Sequence, residues 1–272
     1  LRNSSAASDV YKRQDIDFII FSTLSPDYYF PGSGVLLQRN LGIKEIGALD
    51  VRNQCSGFIY GLSIADQYIK SGMYKNILLV GSEIHSGGLD KSTNGRSVSV
   101  IFGDGAGAAI ISSTKSENGI LSTHLHSQGK YAEELAVIKP ATTHWIDKIK
   151  SDQTDESYWP YMNGNFVFKN AVVRFEQVIK EGLEHSNLNT EDISLLIPHQ
   201  ANLRISQFIQ KKLKLSDSQV FNNIMKYGNT TAASIPIALT EAYQSNLIKD
   251  NDIVVLAAFG SGFTWGSAVI KW

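Results

Sequence analysis

The stretch NDIVVLAAFG at residues 251–260 decides the fold, because KNILLVGSE at residues 75–83 repeats its pattern. Each stretch opens on polar residues and continues as a short apolar run, which is typical of a strand buried in a parallel sheet. The residues that follow are also repeated, since IFGDGAGAAII at 101–111 resembles AFGSGFTWGSAVI at 258–270. Both predict a glycine-rich hairpin that leads into an apolar strand. The repeats therefore predict an internally duplicated chain.

A helix is predicted before each of these two strands. Between residues 56 and 71 the apolar side chains recur every three or four positions, and Gly72 ends the pattern. Residues 232–244 predict the corresponding helix of the second half. The other predicted elements are strands at 17–21, 46–51 and 193–197 and a helix at 34–41. This alternation of strand and helix predicts an α/β fold with mostly parallel sheets that pack through helices.

The composition excludes several classes of protein. The chain has 272 residues, of which 43% are hydrophobic, and a formal net charge of −1. Its lysines and arginines are dispersed, so the basic field that nucleic-acid binding requires is absent. No apolar run approaches the roughly 18 residues of a membrane helix, and one cysteine cannot form an internal disulfide. We therefore expect a cytoplasmic protein with no nucleic-acid or membrane partner.

Composition divides the chain into four segments. Residues 1–14, LRNSSAASDVYKRQ, have no apolar periodicity and are too polar for a signal peptide, so we interpret them as a non-native leader. Residues 15–118 form the N-terminal half, which contains the cysteine. Residues 119–160 are interpreted as a connecting insertion that lines or covers a cleft, because irregular loops of this length are usually functional. Residues 161–272 form the C-terminal half.

Cys55 follows one predicted strand and opens the next predicted helix. Free backbone N–H groups and the helix dipole at such a position lower the pKa of a thiol from about 8.5 toward roughly 7, which favours a nucleophilic thiolate. The alternative is a small structural residue, because free cysteines are often buried in protein cores. Position alone leaves both interpretations open.

Three further positions lie at comparable junctions. His199 follows a strand that Pro198 ends, where open α/β folds collect their sites, although a packed or helix-capping histidine is the alternative. Asn229 follows Gly228 in YGNTTAASIP, and a Gly-Asn pair is also a common turn. Ser261 lies in a glycine-rich corner whose N–H groups are free to form an oxyanion hole. Equivalent junctions of two repeated halves converge near the axis that relates them, which favours a catalytic site.

Together these motifs resemble the β-ketoacyl-acyl-carrier-protein synthase III family, which has the thiolase fold. The similarity extends over roughly residues 15–272 and implies an α-β-α-β-α order of layers. The motifs that carry it are, in order, CSGFIYGLSIAD, IFGDGAGAA, MNGNFVFKNAV, PHQANLRI, YGNTTAASIP and AFGSGFTWGSA.

The resemblance implies a catalytic triad of Cys55, His199 and Asn229. In such an enzyme the cysteine takes an acyl group from coenzyme A. The histidine and asparagine then hold the malonyl thioester of an acyl carrier protein (ACP) while carbon dioxide is lost. The backbone N–H groups of Cys55 and Ser261 form the implied oxyanion hole. The implied product is a 3-oxoacyl thioester that initiates fatty-acid biosynthesis.

The resemblance also implies binding residues outside the triad. Arg96, Gly164 and Asn165 match positions that contact coenzyme A, and Phe30 matches a residue that reaches into the partner's acyl pocket in a homodimer. The coenzyme A thioester and the phosphopantetheine of ACP are implied substrates, and no cofactor is bound permanently. A basic patch that meets the acidic carrier protein is implied at Lys169, Arg204, Lys211 and Lys212. A solvated helix face is the alternative for the last two.

The sequence also departs from the family pattern. The family begins some tens of residues earlier, so we interpret the chain as truncated at its N-terminus. Ser261 replaces a usual glycine. RNQ before Cys55 replaces usual small residues, and together with EIHSGGLD it indicates a divergent branch, which leaves acetyl and other acyl groups open as the donor. A condensing enzyme of secondary metabolism and an inactive thiolase-fold fragment or dimer partner are the alternative functions. His124 and His126 have no third metal-type ligand near them in the sequence, so no metal is expected.

Overall fold

The structure is a computed structural model that describes residues 2–3, 12–138 and 156–272. Short 3-10 turns at Gln54–Ser56 and Thr231–Ala233 precede two of the helices. The strands are β1 (Arg2–Asn3), β2 (Phe18–Ser22), β3 (Gly47–Val51), β4 (Asn76–Glu83), β5 (Gly105–Ser112), β6 (Gly119–Ser127), β7 (Leu135–Ala136), β8 (Tyr161–Met162), β9 (Leu195–Pro198), β10 (Ile253–Gly260) and β11 (Thr264–Lys271). The helices are α1 (Ser33–Leu41), α2 (Gly57–Lys70), α3 (Arg96–Ser99), α4 (Gly164–His185), α5 (Leu203–Leu213), α6 (Ile224–Tyr227) and α7 (Ser234–Gln244).

Two large sheets share one strand arrangement. The first has the order β1-β5-β4-β2-β3, with β2 parallel to β3 and β4, and β5 antiparallel to β4 and β1. The second has the order β6-β11-β10-β9, with β10 parallel to β9, and β11 antiparallel to β10 and β6. In each sheet a parallel pair is followed by an antiparallel return strand. This repetition confirms the predicted internal duplication.

The sheets are mixed, whereas the sequence predicted mostly parallel ones. Only residues 261–263 connect β10 to β11, and a parallel crossover needs a dozen or more residues. The chain must therefore return antiparallel at this corner. The same geometry places the glycine-rich corner at the carboxyl end of β10, on the edge of the sheet where β9 also ends.

The elements stack in five layers, as the family resemblance implied. Successive side chains of one strand point into different helical layers. In β9, Leu195 and Ile197 pack in the central core with α2 and α7, whereas Leu196 packs against α4 and α5. On the first sheet, Ile20 joins the same central core and Ile19 packs toward α1. Each fully buried side chain of this kind contributes roughly 1.5–3 kcal/mol of transfer free energy. The central helices α2 and α7 are therefore held by both sheets at once.

Gly81 of β4 brings the two halves into close contact. A Cβ at this position would lie 2.3 Å from the carbonyl oxygen of Ala232, which belongs to the turn before α7. Only a residue without a side chain allows backbone to approach a strand this closely. Asn229, which comes just before this turn, is thereby carried against the first half.

The described residues cover parts of two predicted segments. Residues 119–127, the start of the predicted insertion, form the regular edge strand β6 instead of an irregular loop, because they pair with β11 along its length. Within the insertion, β7 pairs antiparallel with β8, which lies at the start of the C-terminal half, and the two form a short ribbon. Residues 139–155 of the insertion, and residues 1 and 4–11 of the predicted leader, lie outside the described residues.

Candidate active site

Cys55 lies between the two halves of the fold. It sits in the turn that joins β3 to α2, and only 7% of its surface is exposed. The corner at the end of β10 packs against it, since a Cβ built on Gly260 would lie 2.6 Å from the cysteine Cβ. A hydrogen bond of 2.7 Å between the hydroxyl groups of Ser56 and Thr264 fixes this junction. The cysteine side chain is therefore placed by both halves.

The pKa of Cys55 departs from the expectation drawn from its position. Burial, and secondarily the nearby carboxylate of Glu83, raise the pKa of the thiol to about 12. Hydrogen bonds from the backbone N–H groups of Cys55 and Ser261 act in the opposite direction. The predicted lowering of the pKa is thus wrong for the ligand-free protein, because the loss of hydration outweighs the dipoles at the helix start. At neutral pH the resting cysteine is a thiol.

His199 is a buried, neutral imidazole. It follows β9 directly, its side chain is 2% exposed, and burial lowers its pKa to about 3. Its Nδ1 lies 2.6 Å from the Oγ of Ser234, which also accepts a hydrogen bond from the backbone N–H of Gln200 at 3.4 Å. When the serine hydroxyl donates to Nδ1, the ring proton lies on Nε2. Among the described residues Nε2 is buried without a partner, so in this tautomer it can donate a hydrogen bond to a ligand.

Acid sensitivity follows from the burial of His199. The pKa of His199 in the folded protein, about 3, lies below its ordinary value of 6.5. The unfolded chain therefore binds a proton that the folded protein does not, so the free energy of unfolding is highest above pH 6.5 and decreases as the pH falls toward 3. Between pH 7 and pH 5 we expect the parent to lose roughly 2 kcal/mol more unfolding free energy than His199→Gln. Urea denaturation of both proteins at the two pH values measures the difference. Parallel pH dependence of the two proteins would contradict a neutral buried imidazole.

Asn229 is held in one orientation by backbone contacts on both sides. Its N–H donates to the carbonyl of Ile101 at 2.8 Å, and its carbonyl accepts the N–H of Gly103 at 3.1 Å. The side-chain Oδ1 accepts the N–H of Thr231 at 2.9 Å. The other end of the amide, Nδ2, is therefore the end that can donate a hydrogen bond to a ligand.

The corner at Ser261 presents its backbone to the cysteine and turns its side chain away. The N–H of Ser261 lowers the pKa of Cys55 through a hydrogen bond. The hydroxyl of Ser261 donates instead to the carbonyl of Leu135 in β7. Ser261 thus leaves its N–H directed toward the thiol, and its side chain ties the corner to the β7–β8 ribbon.

The three residues of the predicted triad share one cavity. Cys55, His199 and Asn229 all line one cavity that is open to solvent. Most of the remaining wall is apolar. Residues of that wall include Phe102, Leu135, Met162, Val167, Phe168 and Ile205. The three polar side chains of the predicted triad therefore meet in a largely apolar cavity.

Of the other predicted site residues, one lines this cavity and the rest lie on the protein surface outside its wall. Gly164 lines it, whereas Asn165 and Arg96 are exposed residues that are not part of its wall. Phe30 is 70% exposed. The exposed cations of α4 and α5 are Lys169, Arg204, Lys211 and Lys212.

Four buried residues beside the site were not predicted from the sequence. Ser234 orients His199, and Glu83 acts on the pKa of Cys55 from the end of β4. His85 and Thr231 share a hydrogen bond of 2.6 Å next to Asn229. A charged residue at the carboxyl end of an apolar strand, as in KNILLVGSE, was a signal for Glu83. Ser234 and Thr231 lie within YGNTTAASIP, where they were read only as small residues.

Outside the cavity, His124 and His126 both approach the carboxylate of Glu181, with N···O distances of 3.3 and 2.6 Å. Within the described ranges, no group of three or more His, Cys, Asp or Glu side chains is arranged to hold a metal ion. In that same part of the chain, none of the helices has both the length and the hydropathy to cross a membrane.

Comparison with known proteins identifies relatives along most of the chain. Residues 49–129 match the family described as 3-oxoacyl-[acyl-carrier-protein] synthase III, and residues 183–272 match its C-terminal family. The β-ketoacyl-[acyl-carrier-protein] synthase III of Aliivibrio fischeri is 43% identical, with 95% of this chain and 78% of that protein aligned. The corresponding protein of Caldanaerobacter subterraneus is 44% identical, with 96% and 78% aligned.

Solved structures agree with the sequence relatives. The crystal structure of 3-oxoacyl-[acyl-carrier-protein] synthase III from Aquifex aeolicus superposes with a TM-score of 0.87 at 40% identity, over 96% of this chain and 78% of that one. The five-layer fold and the cysteine between its halves define a thiolase-like condensing enzyme, which is an acyltransferase. Within that class, the chain belongs to the 3-oxoacyl-[acyl-carrier-protein] synthase III family.

Proposed function

We propose that this protein transfers an acyl group from acyl-CoA to Cys55 and condenses it with malonyl-ACP, with loss of carbon dioxide, to start fatty-acid biosynthesis. Membership of the family and the names of its relatives support the reaction. The observation that carries the assignment to this site is the one cavity that Cys55, His199 and Asn229 line together.

In the first half-reaction the sulfur of Cys55 attacks the thioester carbonyl of acyl-CoA. The tetrahedral oxyanion accepts hydrogen bonds from the backbone N–H groups of Cys55 and Ser261, and its collapse breaks the bond to the sulfur of coenzyme A. One thiol replaces another, so the exchange releases no net proton. The high pKa of the resting thiol keeps Cys55 protonated until substrate occupies the cavity.

In the second half-reaction the malonyl thioester loses its carboxylate as carbon dioxide. The electron pair of the broken C–C bond passes to the thioester carbonyl, and the resulting enolate oxygen accepts hydrogen bonds from Nε2–H of His199 and Nδ2–H of Asn229. A neutral histidine suits this role because its proton stays on the ring. The enolate carbon then attacks the carbonyl of the acyl-cysteine, and the sulfur of Cys55 leaves as a thiolate. This thiolate takes up one proton from solvent and returns to the resting thiol.

Both substrates carry their thioesters on pantetheine, and the cavity supports a common entry path for them. Gly164 leaves the start of α4 open beside the cavity, and Asn165 and Arg96 are proposed to contact coenzyme A at the surface. Coenzyme A thioesters and the phosphopantetheine of ACP act as substrates, and no resident cofactor is invoked. We further propose a cytoplasmic homodimer, with the exposed side chains of Tyr28 and Phe30 buried at its interface.

The basic face of α4 and α5 is proposed as the docking surface for the acidic carrier protein. Arg204 lies next to Ile205 in α5, and Lys169 lies next to Phe168 in α4, and both apolar neighbours line the cavity. The rings of Phe168 and Phe208 are in contact, with centroids 6.1 Å apart, so the two helices flank the opening together. Lys211 and Lys212 extend the positive charge along α5.

Charge reversal at Arg204 tests this surface. We expect Arg204→Glu to raise the KM for malonyl-ACP about tenfold at low salt, because it opposes docking electrostatically. The KM for acyl-CoA should stay within about twofold, since the cavity is unchanged. The control is Lys249→Glu, an exposed charge reversal at the opposite end of β10 from Gly260. Equal effects of the two reversals would contradict a carrier-protein surface on α5.

A reconstituted assay tests the proposed function. The protein is incubated with malonyl-ACP and a series of acyl-CoAs of different chain length, and 3-oxoacyl-ACP is measured. The proposal expects product with at least one acyl-CoA and one carbon dioxide released for each product. Condensation that requires no malonyl carboxylate, or no product with any acyl-CoA, would contradict it.

A further inference from the structure

His85 is a buried imidazole beside the cavity that neither half-reaction uses. It follows β4, is 9% exposed, and its ring contacts that of Phe102 with centroids 4.7 Å apart. Its Nε2 lies 2.6 Å from the Oγ1 of Thr231, a short hydrogen bond between the two halves of the fold. Phe102 lines the cavity, so the imidazole lies directly behind the cavity wall.

Thr231 has a backbone conformation that requires support. Its φ is +51°, in the left-handed region that β-branched residues rarely adopt. The N–H of the same residue donates a hydrogen bond to the Oδ1 of Asn229, 2.9 Å away. Unfavourable backbone conformations persist where the surrounding contacts overdetermine them, and they concentrate at functional sites. The hydroxyl of the Thr231 side chain is held by its hydrogen bond with His85.

His85 is itself fixed from several directions. Its backbone N–H donates to the Oδ1 of Asp104 at 2.7 Å, and the ring of Phe102, tilted by 35° against the imidazole, packs beside it. The carboxylate of Glu83 lies 4.0 Å from Nε2, and its other oxygen accepts hydrogen bonds from Thr23 and Leu24. A ring that cannot move provides a fixed partner for the hydroxyl of Thr231.

We propose that His85 is a positioning residue for Asn229, acting through Thr231. The hydrogen bond from His85 holds Thr231 in its left-handed conformation, and the N–H of Thr231 then holds Oδ1 of Asn229. The amide cannot rotate, so Nδ2–H stays directed toward the enolate oxygen. This inference rests on the proposed role of Asn229 in decarboxylation. It places the effect of His85 in the second half-reaction alone.

Separate measurement of the two half-reactions tests the proposal. Acylation is followed as label transferred from radiolabelled acyl-CoA to the protein, and decarboxylation as labelled carbon dioxide released from carboxyl-labelled malonyl-ACP by pre-acylated enzyme. We expect His85→Leu and Thr231→Val each to slow decarboxylation about tenfold and to leave acylation within about twofold. The double variant should be no slower than about tenfold, because both changes break one contact.

Conservative and remote variants separate positioning from general damage. His85→Gln and Thr231→Ser keep a hydrogen-bonding group and should recover at least about half of the decarboxylation rate. Ser122→Ala removes a buried hydrogen bond to the carbonyl of Gly182 far from the cavity and should change neither half-reaction. Thr231→Val is the isosteric test if His85→Leu does not fold.

Three results would overturn the proposal. The first is an equal loss of acylation and decarboxylation in Thr231→Val, and the second is an undiminished decarboxylation rate in that variant while Asn229→Ala is impaired. The third is multiplication of the two effects in the double variant. If Asn229→Ala itself decarboxylates at the parent rate, the proposed role of Asn229 fails first, and the positioning claim fails with it.

Discussion

Replacement of Cys55 by alanine is expected to abolish transfer of label from acyl-CoA to the protein and to lower condensation by at least about 10³-fold, since it removes the proposed nucleophile. Cys55 is the only cysteine of the chain, so no second thiol can substitute for it. The removed sulfur is small, so the variant should fold. The measurements are radiolabel retention after precipitation and 3-oxoacyl-ACP formation.

Cys55→Ser is the matched control for the geometry of the site. Its hydroxyl occupies the same place but is a far weaker nucleophile at neutral pH, so condensation should remain at least about 10²-fold below the parent. Thermal unfolding of both variants near the parent temperature excludes misfolding as the cause. Retention of stable label by Cys55→Ala would contradict the assignment of the nucleophile.

Replacement of Asn229 by alanine is expected to separate the two half-reactions. The variant lacks one donor to the enolate oxygen, so decarboxylation of malonyl-ACP should fall by about 10²- to 10³-fold. Acylation of Cys55 should stay within about threefold, because the oxyanion of that step is held by backbone N–H groups instead. Single-turnover reactions of the pre-acylated variant with malonyl-ACP measure the first rate, and radiolabelled acyl-CoA measures the second.

Asn229→Asp provides the paired control. It keeps the shape and the hydrogen bond to the N–H of Thr231, but it offers no Nδ2–H and places a carboxylate near the developing negative charge. Decarboxylation in Asn229→Asp should therefore be at least as slow as in Asn229→Ala. A parent-like decarboxylation rate in either variant would remove Asn229 from the mechanism.

The fold was predictable where the signal is local or repeated. The two copies of the strand pattern, at residues 75–83 and 251–260, identified the duplication, and the apolar spacing of residues 56–71 identified α2. Whether neighbouring strands run parallel or antiparallel was harder to predict. It depends on the length of the segment that connects them, as between β10 and β11, and that length is known only once both strand ends are known. β6 was read as part of an irregular insertion because its residues are polar in places, although pairing with β11 makes it regular.

The candidate site was predictable as a set of junctions, but its electrostatics were not. Cys55 does follow a strand and precede a helix, yet its pKa is set by burial between the two halves, which no local pattern encodes. His85 and Thr231 are separated by 146 positions and meet only after both halves have packed. Buried polar partners of this kind become visible once the packing is known.

The most direct test of the account is to map the acyl group on the protein. The protein is mixed with the acyl-CoA that supports the fastest condensation, quenched, digested and analysed by mass spectrometry, with a parallel sample that receives malonyl-ACP before the quench. The account predicts one acyl group on the peptide that contains Cys55, and its disappearance on addition of malonyl-ACP with formation of an equal amount of 3-oxoacyl-ACP. An acyl group on any other residue, or an acyl-cysteine that malonyl-ACP does not discharge, would contradict it.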